Sequence, residues 1–256
     1  MHVPLDVERA SLPSYRRAAG PESGLRLRLM TSRGLLEWIQ GFLTTHAPTR
    51  LRKRWVRGLD SPEIYDRLYA DPQTLGQYLE PNRLAFYREV SAFCIRLKPR
   101  RVLDIGCGPG GLLAEIDSVA RGACALYGVD QCMPGLAVAR RLCPKARLVR
   151  GDLYHLCFRD GSFDLVICMQ TMEHLERPRP AFEEMIRLCA PGGALVITIP
   201  DGSRDRWEGH LNFWSEEAFK AFCGKDFVAE CRRLNNNRNL LFRLTPRQDT
   251  LARGRG

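Results

Sequence analysis

The chain has 256 residues, 45% of them apolar, a share that excludes wholesale disorder and allows one substantial core plus an appendage. No apolar run approaches the ~20 residues that span a bilayer, and Met1 to Gly20 holds no stretch of signal-peptide length, so a soluble, cytoplasmic protein is expected. The net charge of +10 is concentrated: residues 1–57 carry 11 basic and 4 acidic side chains while residues 58–200 balance, which argues against a nucleic-acid-binding surface spread over the molecule.

Residues 1–24, with Pro4, Pro13, Pro21, Gly20 and Gly24 and no sustained period, read as a loose arm. From Leu25 to Leu43 apolar residues recur at helical spacing, and Arg50-Leu51-Arg52-Lys53-Arg54-Trp55 follows. Residues 25–57 thus suit an amphipathic helix that meets an anionic surface, or one that packs on the core and solvates its arginines. Residues 61–97 are predicted helical, starting at Ser61-Pro62-Glu63. Tyr65, Leu68 and Tyr69 share one face, Leu84, Tyr87, Val90 and Phe93 another, and such helices can cover a ligand crevice.

After Pro99 strands and helices alternate. Strands are predicted at 101–105, 124–129, 146–150, 163–169 and 192–199, with helices at 110–119, 134–143 and 179–190, which implies a parallel, doubly wound α/β sheet. A helix at 215–223 precedes strands Phe227–Leu234 and Asn239–Leu244, joined by an Asn-rich turn into an antiparallel hairpin. The domain plan is a basic arm and helix (1–57), a helical cap (58–100), a core (101–246) and a basic tail (247–256). The ten cysteines form no C-x-x-C pair, so reduced core thiols and no metal site are expected.

The loop Gly106-Cys107-Gly108-Pro109-Gly110-Gly111 follows a strand and opens a helix, and its glycines let backbone approach a ligand. Gly106, Gly108 and Gly111 also satisfy the dinucleotide fingerprint, so the loop alone leaves the ligand open. Asp104 ahead of the loop is poorly placed beside a pyrophosphate but suits a ligand with an amino group and a sulfonium charge. Asp130 ends the next strand about 20 residues on, where an acid reaches ribose hydroxyls. Asp152, in Arg150-Gly151-Asp152-Leu153, follows the third strand and can accept from the amine of a base.

Together these segments resemble the class I S-adenosylmethionine-dependent methyltransferases of the methyltransferase-11 type. The likeness also covers Asp160-Gly161-Ser162-Phe163-Asp164-Leu165-Val166, Met172-Glu173-His174-Leu175 and Pro191-Gly192-Gly193. It implies a Rossmann-like fold and S-adenosyl-L-methionine as cofactor, with S-adenosyl-L-homocysteine as product. Gly106, Gly108 and Gly110 would line the methionine side, with Asp104 and Cys107 beside them. Asp130 would hold the ribose with Gln131 next to it, Asp152 and Leu153 would flank the adenine, and Met169 would complete the site.

The acceptor is less defined. Methyl transfer asks mainly for alignment of a nucleophile, and a hydroxyl or ammonium acceptor also needs a base. His174 follows the fourth strand and His210 the fifth, so both are candidate catalytic residues, and each has a plainer role in ordering its own loop. The polar, aromatic loop Trp207–Trp214 suits an acceptor pocket. Cys168-Met169-Gln170-Thr171 replaces the Asn/Asp-Pro-Pro-aromatic run of enzymes acting on base or amide nitrogens. A small-molecule, lipid or saccharide acceptor is therefore expected. An RNA- or protein-modifying enzyme docked through the basic segment and a non-catalytic cofactor-binding scaffold are the alternatives.

Overall fold

The computed structural model describes residues 62–246 apart from 79, 206, 208 and 209. The basic arm, the amphipathic segment 25–57 and the tail 247–256 lie outside the described residues. Three helices come first: α1 (Pro62–Ala70), α2 (Pro72–Gln77) and α3 (Pro81–Ile95). Each opens on a proline, whose fixed φ and missing N–H suit the first helical position and break the turn before it. The helical span expected over 61–97 is therefore three pieces. Asp71 caps α2 by accepting the Thr74 N–H at 2.9 Å.

The core follows as β1 (Arg101–Ile105), α4 (Gly111–Ala120), β2 (Ala125–Asp130), α5 (Met133–Leu142), β3 (Arg147–Arg150), β4 (Phe163–Met169), a single 3₁₀ turn (Met172–His174), α6 (Pro178–Leu188), β5 (Cys189–Pro200), α7 (Glu216–Cys223), β6 (Phe227–Leu234) and β7 (Asn239–Pro246). The sheet order is β3-β2-β1-β4-β5-β7-β6. Strands β1 to β5 run parallel, and β7 is antiparallel to both β5 and β6. The expected hairpin thus joins the sheet through its second strand. Its turn holds Asn235, Asn236 and Asn237 at φ of 50°, 54° and 61°, a left-handed conformation that asparagine tolerates best among non-glycine residues.

Apolar layers fill both faces, as a parallel sheet requires. One face packs Phe182, Met185 and Leu188 of α6 and Phe219 of α7 against Ile105, Val166 and Ile197. The other packs Phe86, Val90 and Cys94 of α3 and Leu113 and Ile116 of α4 against Val102, Leu165 and Val196. Strand order reverses between β1 and β4, so the carboxyl ends of these strands diverge into a crevice where ligands bind in open α/β sheets. No helix among the described residues is long and apolar enough to cross a membrane.

Candidate active site

A cavity of about 660 Å³ opens at that switch point, within the range of about 300–1,000 Å³ common for small-molecule sites. One end is made of strand-edge backbone. The Gly106 and Cys107 N–H groups both donate to Val129 O, at 2.8 and 3.0 Å, folding the glycine loop onto β2. Gly106 (φ +72°) has no room for a side chain, since a Cβ there would lie 2.4 Å from Thr171 Oγ1. Gly108 (φ +49°) would place its Cβ 2.9 Å from the Tyr69 hydroxyl.

Asp130 ties this end together. Its Oδ2 accepts the Gly108 N–H and its Oδ1 the Cys132 N–H, each at 2.8 Å. Burial pushes its carboxyl above the ordinary value, and these two hydrogen bonds oppose the rise. Asp104 is only 2% exposed, and its Oδ1 has no hydrogen-bond partner. Burial, with the nearby Asp130 charge adding to it, pushes the Asp104 carboxyl up to about 8. The cavity therefore holds a buried acid lacking a donor, a condition that a cationic ligand relieves.

The far end is built from side chains of distant segments. The 3₁₀ turn after β4 presents Glu173 and His174, and the loop after β5 brings Trp207 and His210 onto it. Backbone bonds fasten the two. Leu211 and Asn212 N–H groups donate to Glu173 O at 2.8 and 3.0 Å, and Asn212 Nδ2 donates to Leu175 O at 2.7 Å. At the loop's base Gly202 N–H donates to Trp214 O at 2.8 Å, with the two backbone segments so close that a Gly202 Cβ would lie 2.4 Å from Trp214 N.

The rings of His174 and His210 lie 4.8 Å apart, and Trp207 sits 5.6 and 4.6 Å from them. His210 Nδ1 is hydrogen-bonded to Asp205 Oδ2. Both Glu173 carboxylate oxygens are buried without a hydrogen-bond partner, and burial holds this carboxyl up at about 8. Glu173, His174 and His210 also form a group whose ligand-capable atoms lie within 4.8 Å of one another.

Helices α1 to α3 cover the cavity. Tyr69 is buried, its ring 6.2 Å from Tyr65 and 5.2 Å from Tyr78, and Tyr65 meets His174 edge-on at 6.1 Å. Asp66 Oδ1 accepts the Met133 N–H at 3.2 Å, tying α1 to the start of α5. Arg83, the single Lys or Arg among the described lining residues, carries its guanidinium over the Tyr78 ring, 5.3 Å from the centroid.

The cavity brings together Asp104, Gly106, Cys107, Gly108, Asp130, Gln131, Leu153, Met169, His174 and His210 of the residues singled out in the sequence. Gly110 and Asp152 are not among its lining residues. Gly110 caps α4, where a Cβ would lie 2.7 Å from the Ala139 Cβ of α5. Asp152 is exposed and accepts the Tyr154 N–H at 3.0 Å, while its neighbours Gly151 and Leu153 reach the cavity. Arg83, Gln170, Thr171 and Glu173 also line the cavity, though no sequence pattern marks them as site residues. Only the prolines opening α2 and α3 hinted at how Arg83 is presented.

Residues 103–197, the span from β1 through most of β5, match the methyltransferase domain family Methyltransf_11. The chain is 36% identical over 104 residues to norajmaline N-methyltransferase of Rauvolfia serpentina, covering 39% of this chain and 36% of that protein. It is 30% identical over 134 residues to the ubiquinone biosynthesis O-methyltransferase of Cronobacter sakazakii, covering 50% and 53%. The chain thus spans between about a third and about half the length of these curated relatives. Among solved structures, the N-methyltransferase NodS of Bradyrhizobium japonicum in complex with S-adenosyl-L-homocysteine superposes with a TM-score of 0.59 at 20% identity, over 74% of this chain and 100% of that one. Residues 103–197 thus carry a methyltransferase domain, and in fold and relatives the chain is similar to the class I S-adenosylmethionine-dependent methyltransferases.

Proposed function

We propose that the chain moves a methyl group from S-adenosylmethionine to an oxygen or nitrogen of a small-molecule, lipid or saccharide acceptor. The observation that carries this is one cavity joining a buried strand-edge acid, Asp104, to the Glu173–His174–His210 cluster. When bound, the cofactor supplies a methyl group activated by sulfonium charge.

The residues present fit that group. Asp104, buried with Oδ1 lacking a donor, would face the cationic methionine moiety, and Gly106, Cys107 and Gly108 leave backbone free to approach it. Asp130 retains acceptor capacity beyond its backbone bonds and would take the ribose hydroxyls, with Gln131 alongside. Leu153 and Met169 supply apolar surface for the adenine and methyl ends, and Asp152 stands one residue from that wall.

His174 and His210 are the groups that activate the nucleophile. The acceptor's O or N would approach from the histidine end of the cavity, and the proton it must lose would leave on the side of His174 and His210. Asp205, paired with His210 Nδ1, fixes that ring and stabilises any positive charge on it. The Tyr65, Tyr69 and Tyr78 cover excludes water from the methyl path.

The test is labelled-methyl transfer into an extract of the source cell, with mass identification of the product, beside calorimetry of cofactor binding. Asp130→Asn is expected to weaken S-adenosylhomocysteine binding by about 1–3 kcal/mol through lost charge-assisted hydrogen bonds. Unchanged affinity would remove Asp130 from the site. Cofactor binding without transfer to any extract component would favour a non-catalytic scaffold.

A further inference from the structure

Glu173 poses a problem that methyl transfer alone leaves unanswered. Its carboxylate is 1% exposed, lines the cavity and has no hydrogen-bond partner on either oxygen. An unpaired buried carboxylate is costly and is normally paired, protonated or bound to a metal. Arg83, whose charge acts on Glu173, is stacked over Tyr78 and makes no salt bridge to it among the described residues. What Glu173 does meet is a pair of imidazoles, with one ligand-capable atom from each of the three residues within 4.8 Å of the others.

The surroundings resemble those of a metal centre. Asp205 holds His210 through Nδ1, leaving Nε2 as the nitrogen with a free lone pair. A carboxylate behind an imidazole is the usual arrangement that orients a metal-bound histidine and raises its basicity. The segments bearing these residues are already fastened by the Leu211 and Asn212 bonds to Glu173 O, so the grouping exists without an ion.

We propose that Glu173, His174 and His210 form a divalent transition-metal site of the zinc type, with an open position facing the cavity that takes a hydroxyl of the acceptor. Two imidazoles and one carboxylate form a catalytic zinc donor set, whereas magnesium and calcium favour oxygen ligands alone. Bonds of about 2.0–2.2 Å would draw the three atoms to within about 3.5 Å of one another, a closure of about an ångström. One carboxylate leaves the ion with net positive charge, which lowers the pKa of a bound hydroxyl and prepares it as nucleophile, its proton passing to solvent. The two histidines then activate the acceptor through the ion. The inference rests on the reading that the acceptor sits at this end of the cavity, and it selects oxygen over nitrogen acceptors.

Cobalt(II) is the probe, titrated into the full chain after chelator treatment and followed by its visible d–d absorption, with S-adenosylhomocysteine calorimetry in parallel. A single equivalent is expected to bind without the near-ultraviolet band of a cobalt thiolate. Glu173→Gln and His174→Gln should each weaken it by more than tenfold. Asp205→Asn should weaken it by about 10–100-fold, since it acts on His210 from behind. Retained S-adenosylhomocysteine affinity in these variants shows that they fold. Absence of d–d bands, a thiolate band, or bands unchanged in both Glu173→Gln and His174→Gln would each overturn the site. Because the readout is metal binding, it stands apart from failure to find a methyl acceptor, which would bear on the enzymatic reading alone.

Discussion

The two ends of the cavity are built by different means. The glycine-loop end is made from consecutive β–α junctions whose geometry is local: Gly106 to Gly108 follow β1, and Asp130 ends β2. The histidine end joins α1, α3, the turn after β4 and the loop after β5, held by hydrogen bonds such as Asn212 Nδ2 to Leu175 O. One end is fixed by backbone paths that a repeated α/β unit dictates. The other is fixed by backbone and side-chain contacts between segments distant in sequence, so it can vary while the first stays constant.

The largest expected effect tests the electrostatic side of the glycine-loop end. Unfolded, Asp104 titrates near its ordinary 3.8; folded, burial holds it near 8. Between these values the folded state keeps a proton that the unfolded chain has released. Its contribution to stability is therefore complete below about pH 4 and is lost as pH rises through about 8, at up to about 1.4 kcal/mol per pH unit. Thermal unfolding of the chelated, cofactor-free protein should fall more steeply over this window than that of Asp104→Asn. Parallel curves would mean Asp104 is not held protonated.

Next is the steric side. Gly106→Ala forces a left-handed φ on alanine and drives its Cβ into Thr171, so a loss of about 2–4 kcal/mol is expected in denaturant unfolding. Adding Thr171→Ala should return part of it, and a silent Gly106→Ala would show that the loop has slack. At the other end, Asn212→Ala strips the donor from Leu175 O, and about 1–2 kcal/mol of stability should go with it. Methyl transfer should fall with it while S-adenosylhomocysteine affinity holds. A change in cofactor affinity would mean the two ends are coupled. The smallest effect belongs to Trp207, which is 57% exposed. Trp207→Ala should shift stability by less than about 0.5 kcal/mol yet raise KM for the acceptor in steady-state assays.

This contrast also explains what could be read in advance. Glycine-loop spacing and the acid ending β2 follow from strand and helix periods, so Gly106, Gly108 and Asp130 were legible as a set. Asp152 looked equivalent by spacing, but the turn after β3 carries its side chain to the surface and Leu153 to the cavity. Strand β5 starts at Cys189, before the expected 192, because Cys189 already pairs with Phe163; Pro191-Gly192-Gly193, with Gly192 at φ +80°, bulges out before pairing resumes between Ala194 and Leu165. Glu173 looked like a companion of His174, and only the closing of the 205–212 loop buries it without a partner. Arg83 needed the packing of α3 to acquire a role, and packing of that kind leaves little periodic trace.

The neck at Gly202 and Trp214 has a consequence for how the molecule diversifies. Beyond β5 the chain turns at Gly202 and comes back beside it at Trp214, with Gly202 N–H bonded to Trp214 O across a gap too narrow for a side chain. A surface excursion whose ends meet in this way is an Ω-loop. It can be exchanged for another of different length and content, with the sheet registers intact, provided His210, Leu211 and Asn212 keep their contacts. If the acceptor meets this loop as proposed, grafts between Gly202 and Trp214 that keep Asp205, His210, Leu211 and Asn212 are the natural route to retargeting the chain.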